Sequence, residues 1–253
     1  MPIALVRPPP RSYAPFYTPH GVSIGLDLAD RQHAAYVDAI RGAGVEIQVV
    51  EADENFPDGV FIEDTAVVWN RRALCTRMTA HREGEQAAVM THLQQTHEIV
   101  TLPAGATLDG GDVLHTDTIT YVGRSSRTNA AGARAVREFL APARRRVVEV
   151  PVERCLHLKS AATWLGDGTM LAAHDLVDIS YFESERVLFT AQGEEKAANT
   201  VRIGKHLLVL NGYSATTTTF WEFAQYRKLT LHSLDMSEFE KGDGSLTCLS
   251  ILV

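Results

Sequence analysis

Three stretches of this chain carry apolar residues at helical spacing and run directly into a short β-branched segment, and this alternation constrains the fold more than any other feature. The first covers residues 27–43, with Ala34, Val37 and Ile40 three apart and Gly42 and Gly44 to stop it, and leads to a strand over 45–50. The second covers 83–96, with Ala87, Met90 and Leu93 on one face, and feeds a strand over 98–102. The third covers 128–140, with Ala133, Val136 and Leu140 before Pro142, and feeds a strand over 146–150. Such alternation predicts repeated α/β units. Acidic or glycine-rich turns lie between them: Asp58-Gly59 with Glu63-Asp64, Asp109-Gly110-Gly111-Asp112, Asn211-Gly212 and Gly242-Asp243-Gly244. They recur roughly every 40 to 55 residues, the spacing of a supersecondary repeat or propeller-like array. No linker interrupts them, so residues 1–253 are read as a single domain.

Charge narrows the partners. With 24 Lys+Arg against 31 Asp+Glu the net charge is −7, which argues against a nucleic-acid or anionic-membrane partner. The short apolar start, Met1 to Val6, is cut by Arg7 and Pro8-Pro9-Pro10 and lacks the pattern of a signal peptide, and no stretch has the length and apolarity of a membrane span. Three cysteines, Cys75, Cys155 and Cys248, are an odd number in a chain too large to need disulfides, so reduced thiols and a cytoplasmic setting are expected. The irregular stretch from Arg11 to His20, rich in Pro, Tyr and Thr, reads as a surface loop or a lid.

Few residues could do covalent chemistry. Cys248 follows the flexible Gly242-Asp243-Gly244 at the start of a strand-like apolar run, which suits a positioned thiol, although a free cysteine is equally at home as a small buried hydrophobe. A thiol nucleophile needs an acid/base partner, ordinarily histidine. Among ten histidines, His157 stands out because residues 154–163 read as a strand ending in small polar residues. Alternation in that strand sets Cys155 and His157 on one face, which leaves Cys155 as a rival to Cys248. No Cys-x-x-Cys, His-x-x-x-His or nucleotide-binding glycine motif is present, so neither a metal nor a cofactor is expected. The carboxylates at the turns, Asp58, Glu63, Asp64, Asp109 and Asp112, read singly as turn formers. Taken with Cys and His, they suggest a cationic substrate.

Six segments in order carry a resemblance: Asp58-Gly59-Val60-Phe61-Ile62-Glu63-Asp64, Leu108-Asp109-Gly110-Gly111-Asp112, Ser126-Arg127-Thr128-Asn129, Leu156-His157-Leu158-Lys159-Ser160, Asn211-Gly212-Tyr213, and Ser237-Glu238-Phe239 through Asp243-Gly244-Ser245-Leu246-Thr247-Cys248. In this order they resemble the dimethylarginine dimethylaminohydrolases, of the guanidino-group-modifying superfamily that also holds arginine deiminases and amidinotransferases. The resemblance covers nearly the whole chain and implies a five-bladed α/β propeller of pseudo-repeated ββαβ units around a polar channel. It implies Cys248 as nucleophile, His157 as general acid/base and Asp109 as the carboxylate that orients the histidine, where some relatives carry Glu. It further implies that Asp64 grips the guanidinium, with Asp58 and Glu63 as neighbouring acids, and that Arg82 and Arg127 clamp the substrate α-carboxylate. Arg77 lies close enough to Arg82 to compete for that role. The 11–20 stretch corresponds to the lid. The implied partner is a small guanidino substrate, an Nω-methylated arginine hydrolysed to citrulline and an alkylamine, with free arginine as the alternative. No sequence stretch marks an oligomer interface, and a homodimer is left open.

Overall fold

A computed structural model describes residues 1–14, 21–184 and 186–253. The chain opens with β1 (Ile3–Val6), α1 (Leu26–Gly42) and β2 (Glu46–Val49). Next come β3 (Ala66–Trp69), β4 (Arg72–Cys75), α2 (Gln86–Leu93) and β5 (Glu98–Thr101), then β6 (Val113–His115), β7 (Ile119–Arg124), α3 (Ala130–Leu140) and β8 (Arg146–Pro151). After the one-turn α4 (Leu158–Ala161) follow β9 (Ala162–Gly166), β10 (Thr169–Ala172) and β11 (Arg186–Phe189). The last stretch holds β12 (Val201–Ile203), β13 (His206–Leu210), α5 (Ser214–Arg227), β14 (Thr230–Leu234), the short α6 (Ser237–Glu240) and β15 (Ser250–Leu252).

These strands form five three-stranded sheets, each joining its first two strands antiparallel and its last two parallel. In the second sheet, for example, Ala66 faces Cys75 across the antiparallel pair and Arg72 aligns with Glu98 in the parallel one. The architecture is a five-bladed α/β propeller. Parallel pairing demands a crossover, which is why a helix separates the second and third strands of four blades. The fourth blade crosses with a 3-10 turn at Ile179–Tyr181 instead. The ring is closed by the chain ends: β15 supplies the first strand of the blade that β1 and β2 complete, with Val6 opposite Ser250. Tyr36 on α1 shares a 2.8 Å hydrogen bond with Ser250 and ties the helix to that seam.

Core residues lie between blades. One cluster joins Val67 and Leu74 of the second blade to Val113, Val122 and the α3 residues Val136 and Phe139 of the third. Another joins Leu114, Tyr121 and Val150 to Ala162 and Met170. Burying apolar surface between neighbours, rather than inside one blade, makes each unit depend on the next.

The expected face holds in α3 and is turned in α1 and α2; in α2, Leu93 is buried as expected but beside Val89, while Ala87 is exposed and Met90 only part-buried. In α1 the buried residues are Ala29, Gln32, His33, Tyr36 and Ile40, while Ala34 is exposed, so the expected stripe is turned around the helix. In α3 the buried face contains Ala133, Val136 and Leu140 as expected, and Asn129 caps it by accepting from Gly132 N at 2.9 Å. The expected strand over 154–163 does not form. Its first half is irregular, His157 caps α4, and only Ala162 onward is strand. Of the expected lid, residues 15–20 lie outside the described residues, while Arg11–Tyr13 forms a 3-10 turn that receives Glu54 on its backbone N–H groups.

Candidate active site

The first strands of the five blades, β15, β3, β6, β9 and β12, surround the central channel. Each is preceded by a tight turn, and these turns carry the polar residues: Ile62–Thr65 before β3, Gly110–Asp112 before β6, His157 with α4 before β9, Asn199-Thr200 before β12 and Leu246–Leu249 before β15. Remote sequence segments therefore converge because each ends where its blade enters the ring.

Two cavities result, and neighbouring residues face different ones. Asp64, His157 and Cys248 line a cavity of about 240 Å³ together with Asp58, Arg82, Asp109 and Arg127. Glu63, Lys159 and Thr247 line a separate one of about 680 Å³. Between them Glu63 accepts from Lys159 Nζ at 2.6 Å and from Thr247 Oγ1 at 3.0 Å, and Asn199 accepts from Thr247 N at 2.9 Å. The larger cavity is thus divided from the thiol by a hydrogen-bonded floor. Seven of the eight expected site residues share the smaller cavity, and Glu63 belongs to the floor.

His157 donates through Nε2 to Asp109 Oδ2 at 2.9 Å, and its Nδ1 lies 3.9 Å from Asp64 Oδ1. Burial alone would lower its pKa, yet the Asp64 charge and the Asp109 hydrogen bond raise it to about 9. Asp112, buried at the same turn, accepts from Leu158 N at 2.9 Å, Ser125 Oγ at 2.6 Å and Thr128 Oγ1 at 2.6 Å, and so anchors the backbone beside His157. Gly111 is required by proximity, since a Cβ there would stand 2.7 Å from His157 Nδ1. Asp64 accepts from Gly111 N at 3.0 Å through Oδ1 and from Arg82 Nη1 at 2.7 Å through Oδ2. Burial pushes its pKa up, but the His157 and Arg82 charges outweigh that and hold it below the usual carboxylate value.

Cys248 is buried, and burial with the nearby Glu63 and Asp64 charges pushes its thiol up to about 12. The resting pair is therefore a neutral thiol and a protonated imidazole. Cys155 is part-buried with its Sγ 3.2 Å from the His157 carbonyl, and it lines an adjoining cavity instead. Its rivalry with Cys248 rested on a strand that does not form.

Both expected arginines reach the smaller cavity, but they are differently engaged. Arg127 is half-buried and donates through Nη1 to Thr79 Oγ1 at 2.8 Å. Arg82 is 5% exposed and commits itself to Asp64, Glu85 and the Phe61 carbonyl. Arg77 donates to the Pro103 and Ala106 carbonyls, and it is not among the residues that line the smaller cavity. Asp58 faces His81 at 3.2 Å on the cavity wall. Sequence reasoning missed the structural parts played by Lys159, Asn199, Thr247 and Glu85. Lys159 and Thr247 sit inside recognised segments, while Glu85 gives no signal apart from its place three residues after Arg82.

Asp64, Asp109 and His157 bring one ligand atom each to within 4.8 Å of one another, an acidic cradle for a cation. Asp109 keeps Oδ1 buried without a hydrogen-bond partner among the described residues. No described helix is long and apolar enough to cross a membrane.

Comparison with known proteins bears on this arrangement. Residues 22–250 match the model of the family described as N,N dimethylarginine dimethylhydrolase, eukaryotic. The chain is 38% identical to the N(G),N(G)-dimethylarginine dimethylaminohydrolase of Streptomyces coelicolor, over 98% of this chain and 95% of that one. Its fold superposes with TM-score 0.91 on the Pseudomonas aeruginosa enzyme, a Cys-to-Ser mutant complexed with citrulline, at 27% identity, covering 99% and 98% of the two chains. The same TM-score, at 28% identity and the same coverage, relates it to a His-to-Gly variant of a dimethylarginine dimethylaminohydrolase in an adduct with S-methyl-L-thiocitrulline.

Proposed function

Because this chain belongs to the dimethylarginine dimethylaminohydrolase family, we propose that it hydrolyses Nω-methylated L-arginine to L-citrulline and dimethylamine or methylamine. The observation that carries the reading is the single cavity in which the Cys248 thiol meets a charged His157, held by Asp109, and the guanidinium-gripping Asp64. Arg127 receives the α-carboxylate at the cavity wall, and Asp58 lies on the same side as a further acid.

The resting charges dictate the order of events. A planar guanidinium enters between Asp64 and Asp109, which accept its N–H groups and keep it protonated. Its positive charge offsets the cost of ionising the neighbouring thiol, which loses its proton to solvent as the cation binds, since His157 is already protonated, and the thiolate forms beside the carbon it must attack. The Cys248 S–C bond forms while one C–N π bond becomes a lone pair, giving a tetrahedral adduct. His157, already protonated, gives its proton to the alkylated nitrogen, the C–N bond breaks, and dialkylamine leaves a thiouronium on sulfur. Neutral His157 then takes a proton from water, whose oxygen adds to the same carbon. Collapse breaks the C–S bond and releases the ureido group of citrulline with Cys248 restored. Unpaired Cys75, Cys155 and Cys248 support a reducing cytoplasmic setting for this chemistry.

The test is to incubate purified protein separately with asymmetric dimethylarginine and with arginine, and to quantify citrulline and dimethylamine alongside Cys248→Ser. Equimolar citrulline and dimethylamine, abolished in the variant, is expected. Citrulline from arginine alone would replace the reading with a deiminase.

A further inference from the structure

We infer that the hydrogen-bonded floor between the two cavities carries the Cys248 proton away from the substrate: the Thr247 hydroxyl relays it to Glu63, whose carboxylate hands it to the central channel. The inference rests on the functional reading above and supplies the proton route which that reading requires.

The direction of each hydrogen bond in the floor is set by its neighbours. Asn199 Oδ1 receives the Thr247 N–H at 2.9 Å, and Asn199 Nδ2 donates to the Lys159 carbonyl at 3.1 Å and to Thr247 Oγ1 at 3.0 Å. Exchanging the amide oxygen and nitrogen would break all three, so this orientation is fixed. A hydroxyl has one proton to give and two lone pairs to receive with. Thr247 takes the Asn199 amide on one lone pair and gives its proton to Glu63 Oε2 at 3.0 Å, because an ionised carboxylate only accepts. Its second lone pair is left for Cys248 Sγ at 4.0 Å, which makes the thiol the donor in that contact. The line therefore runs one way, from the nucleophile through Oγ1 to the channel wall. The sulfur contact is long, as proton-transfer contacts commonly are before a ligand is seated.

Two protons move one place each. The S–H bond breaks as a new Oγ1–H bond forms, and the original Oγ1–H bond breaks as Oε2–H forms. Negative charge passes from Glu63 to sulfur, toward the bound guanidinium, and the net charge of the three groups is unchanged. Thr247 then donates to the thiolate and accepts from protonated Glu63 and from Asn199, so its hydrogen bonding is complete before and after. The groups on the substrate side are already committed: His157 is protonated at rest, and Asp64 and Asp109 must stay ionised to hold the cation. Glu63 is differently placed. Burial raises it to about 7 against the pull of Lys159, with the Asp64 charge next to it adding to the rise, so it can hold a proton near neutrality. It lines the 680 Å³ cavity, whose lining also includes the exposed Asp117, Asp167 and Gly204, and there the proton exchanges with solvent. Once the ligand is neutral citrulline, the same line returns a proton to sulfur.

Alkylation of Cys248 isolates the step from turnover. Chloroacetamidine is a cationic probe whose chloride the thiolate displaces as the C–S bond forms, and chloroacetamide is its neutral counterpart. The saturating rate of adduct formation would be followed by intact-protein mass spectrometry in wild type, Glu63→Gln, Thr247→Val and Thr247→Ser, with thermal melting to confirm folding. Glu63→Gln keeps the shape but cannot take the proton, and it is expected to slow chloroacetamidine at least tenfold. Charge alone dictates the opposite, since losing the Glu63 charge favours a thiolate. A rate in Glu63→Gln equal to or above wild type therefore overturns the relay. Thr247→Val is expected to slow the reaction as much, and Thr247→Ser to restore it to within about threefold of wild type; equal rates in the valine and serine variants would also overturn the relay. If Thr247→Val does not fold, the isosteric Glu63→Gln decides. A wild type that chloroacetamidine modifies no faster than chloroacetamide would overturn the cation-driven thiolate on which the functional reading and the relay both stand, whereas a wild-type preference undiminished in Glu63→Gln overturns the relay alone.

Discussion

Asp109→Asn tests the link between the acid/base histidine and its carboxylate. Raising His157 from 6.5 to about 9 corresponds to about 3 kcal/mol of preference for its charged form. Burial opposes that preference, so the favourable contributions of Asp64, Asp109 and Asp112 exceed it together. A hydrogen bond to a charged group contributes roughly 1.5–3 kcal/mol. Taking the lower figure for the 2.9 Å bond that His157 donates to Asp109, its loss lowers the histidine pKa by about one unit. Asn fills the same space and retains a hydrogen bond, but it neither attracts the proton nor selects the tautomer. In assays of citrulline release from dimethylarginine, kcat of the wild type should decline above about pH 9 as His157 loses the proton it must give. In Asp109→Asn the decline should begin about one pH unit lower, with kcat at neutral pH reduced roughly 10²-fold or more, as expected for impaired general acid catalysis.

Stability offers a second readout of the same bond. A histidine raised by folding contributes stability that is fully present below its unfolded pKa of 6.5 and is lost as pH rises through about 9. The thermal midpoint of the wild type should therefore fall across that window, and the fall should be shallower in Asp109→Asn. An alkaline limb that stays in place in the variant would refute the coupling between Asp109 and His157.

Two further substitutions probe the frame of the site. Gly111→Ala places a methyl 2.7 Å from His157 Nδ1 and 3.0 Å from Asp64 Oδ1, and it should depress kcat by two orders of magnitude or more while the protein still melts cooperatively; wild-type kcat would show that the turn relaxes. Lys159→Met strands buried Glu63, whose pKa burial already raises to about 7 against the pull of Lys159, and should cost about 3–5 kcal/mol in urea denaturation near neutral pH, with most of the loss recovered by adding Glu63→Gln; an unaffected single variant would show that the floor tolerates an unpaired carboxylate.

Much of this fold was legible because helix and strand alternate with clean periodicity in three of the blades. The strand expected over 45–50 is β2 at Glu46–Val49, and that over 146–150 is β8 at Arg146–Pro151. Other units were hidden for identifiable reasons. The helix α5 contains four successive threonines, Thr216 to Thr219, whose β-branched side chains mask a helical pattern that packing of Phe220 and Phe223 decides. Among the described residues the fourth blade has only the 3-10 turn at Ile179–Tyr181 in its crossover. The segment 154–163 has the composition of a strand, but Asp112 captures the Leu158 amide and turns the chain at His157. In the site, residue types marked Cys248, His157 and the acidic turns, while pairing was invisible. Nothing in the sequence tells that Glu63 faces Lys159 and Asp64 faces Arg82, because adjacent residues at a channel turn point into different cavities.

That division has a chemical consequence. Burial, helped by the Glu63 and Asp64 charges, suppresses the thiol: raising Cys248 from 9.0 to about 12 costs about 4 kcal/mol of thiolate formation. A unit positive charge about 4 Å from the sulfur returns a similar amount at the effective dielectric of a partly shielded site. A cationic ligand adds that charge to the protonated His157 already lining the cavity, whereas a neutral amide or urea adds none. The reaction then removes its own activator, because the ureido group of citrulline is neutral. With the product bound, the cradle of Asp64 and Asp109 again faces an uncharged ligand, and Cys248 returns to the protonated state before the next cation enters.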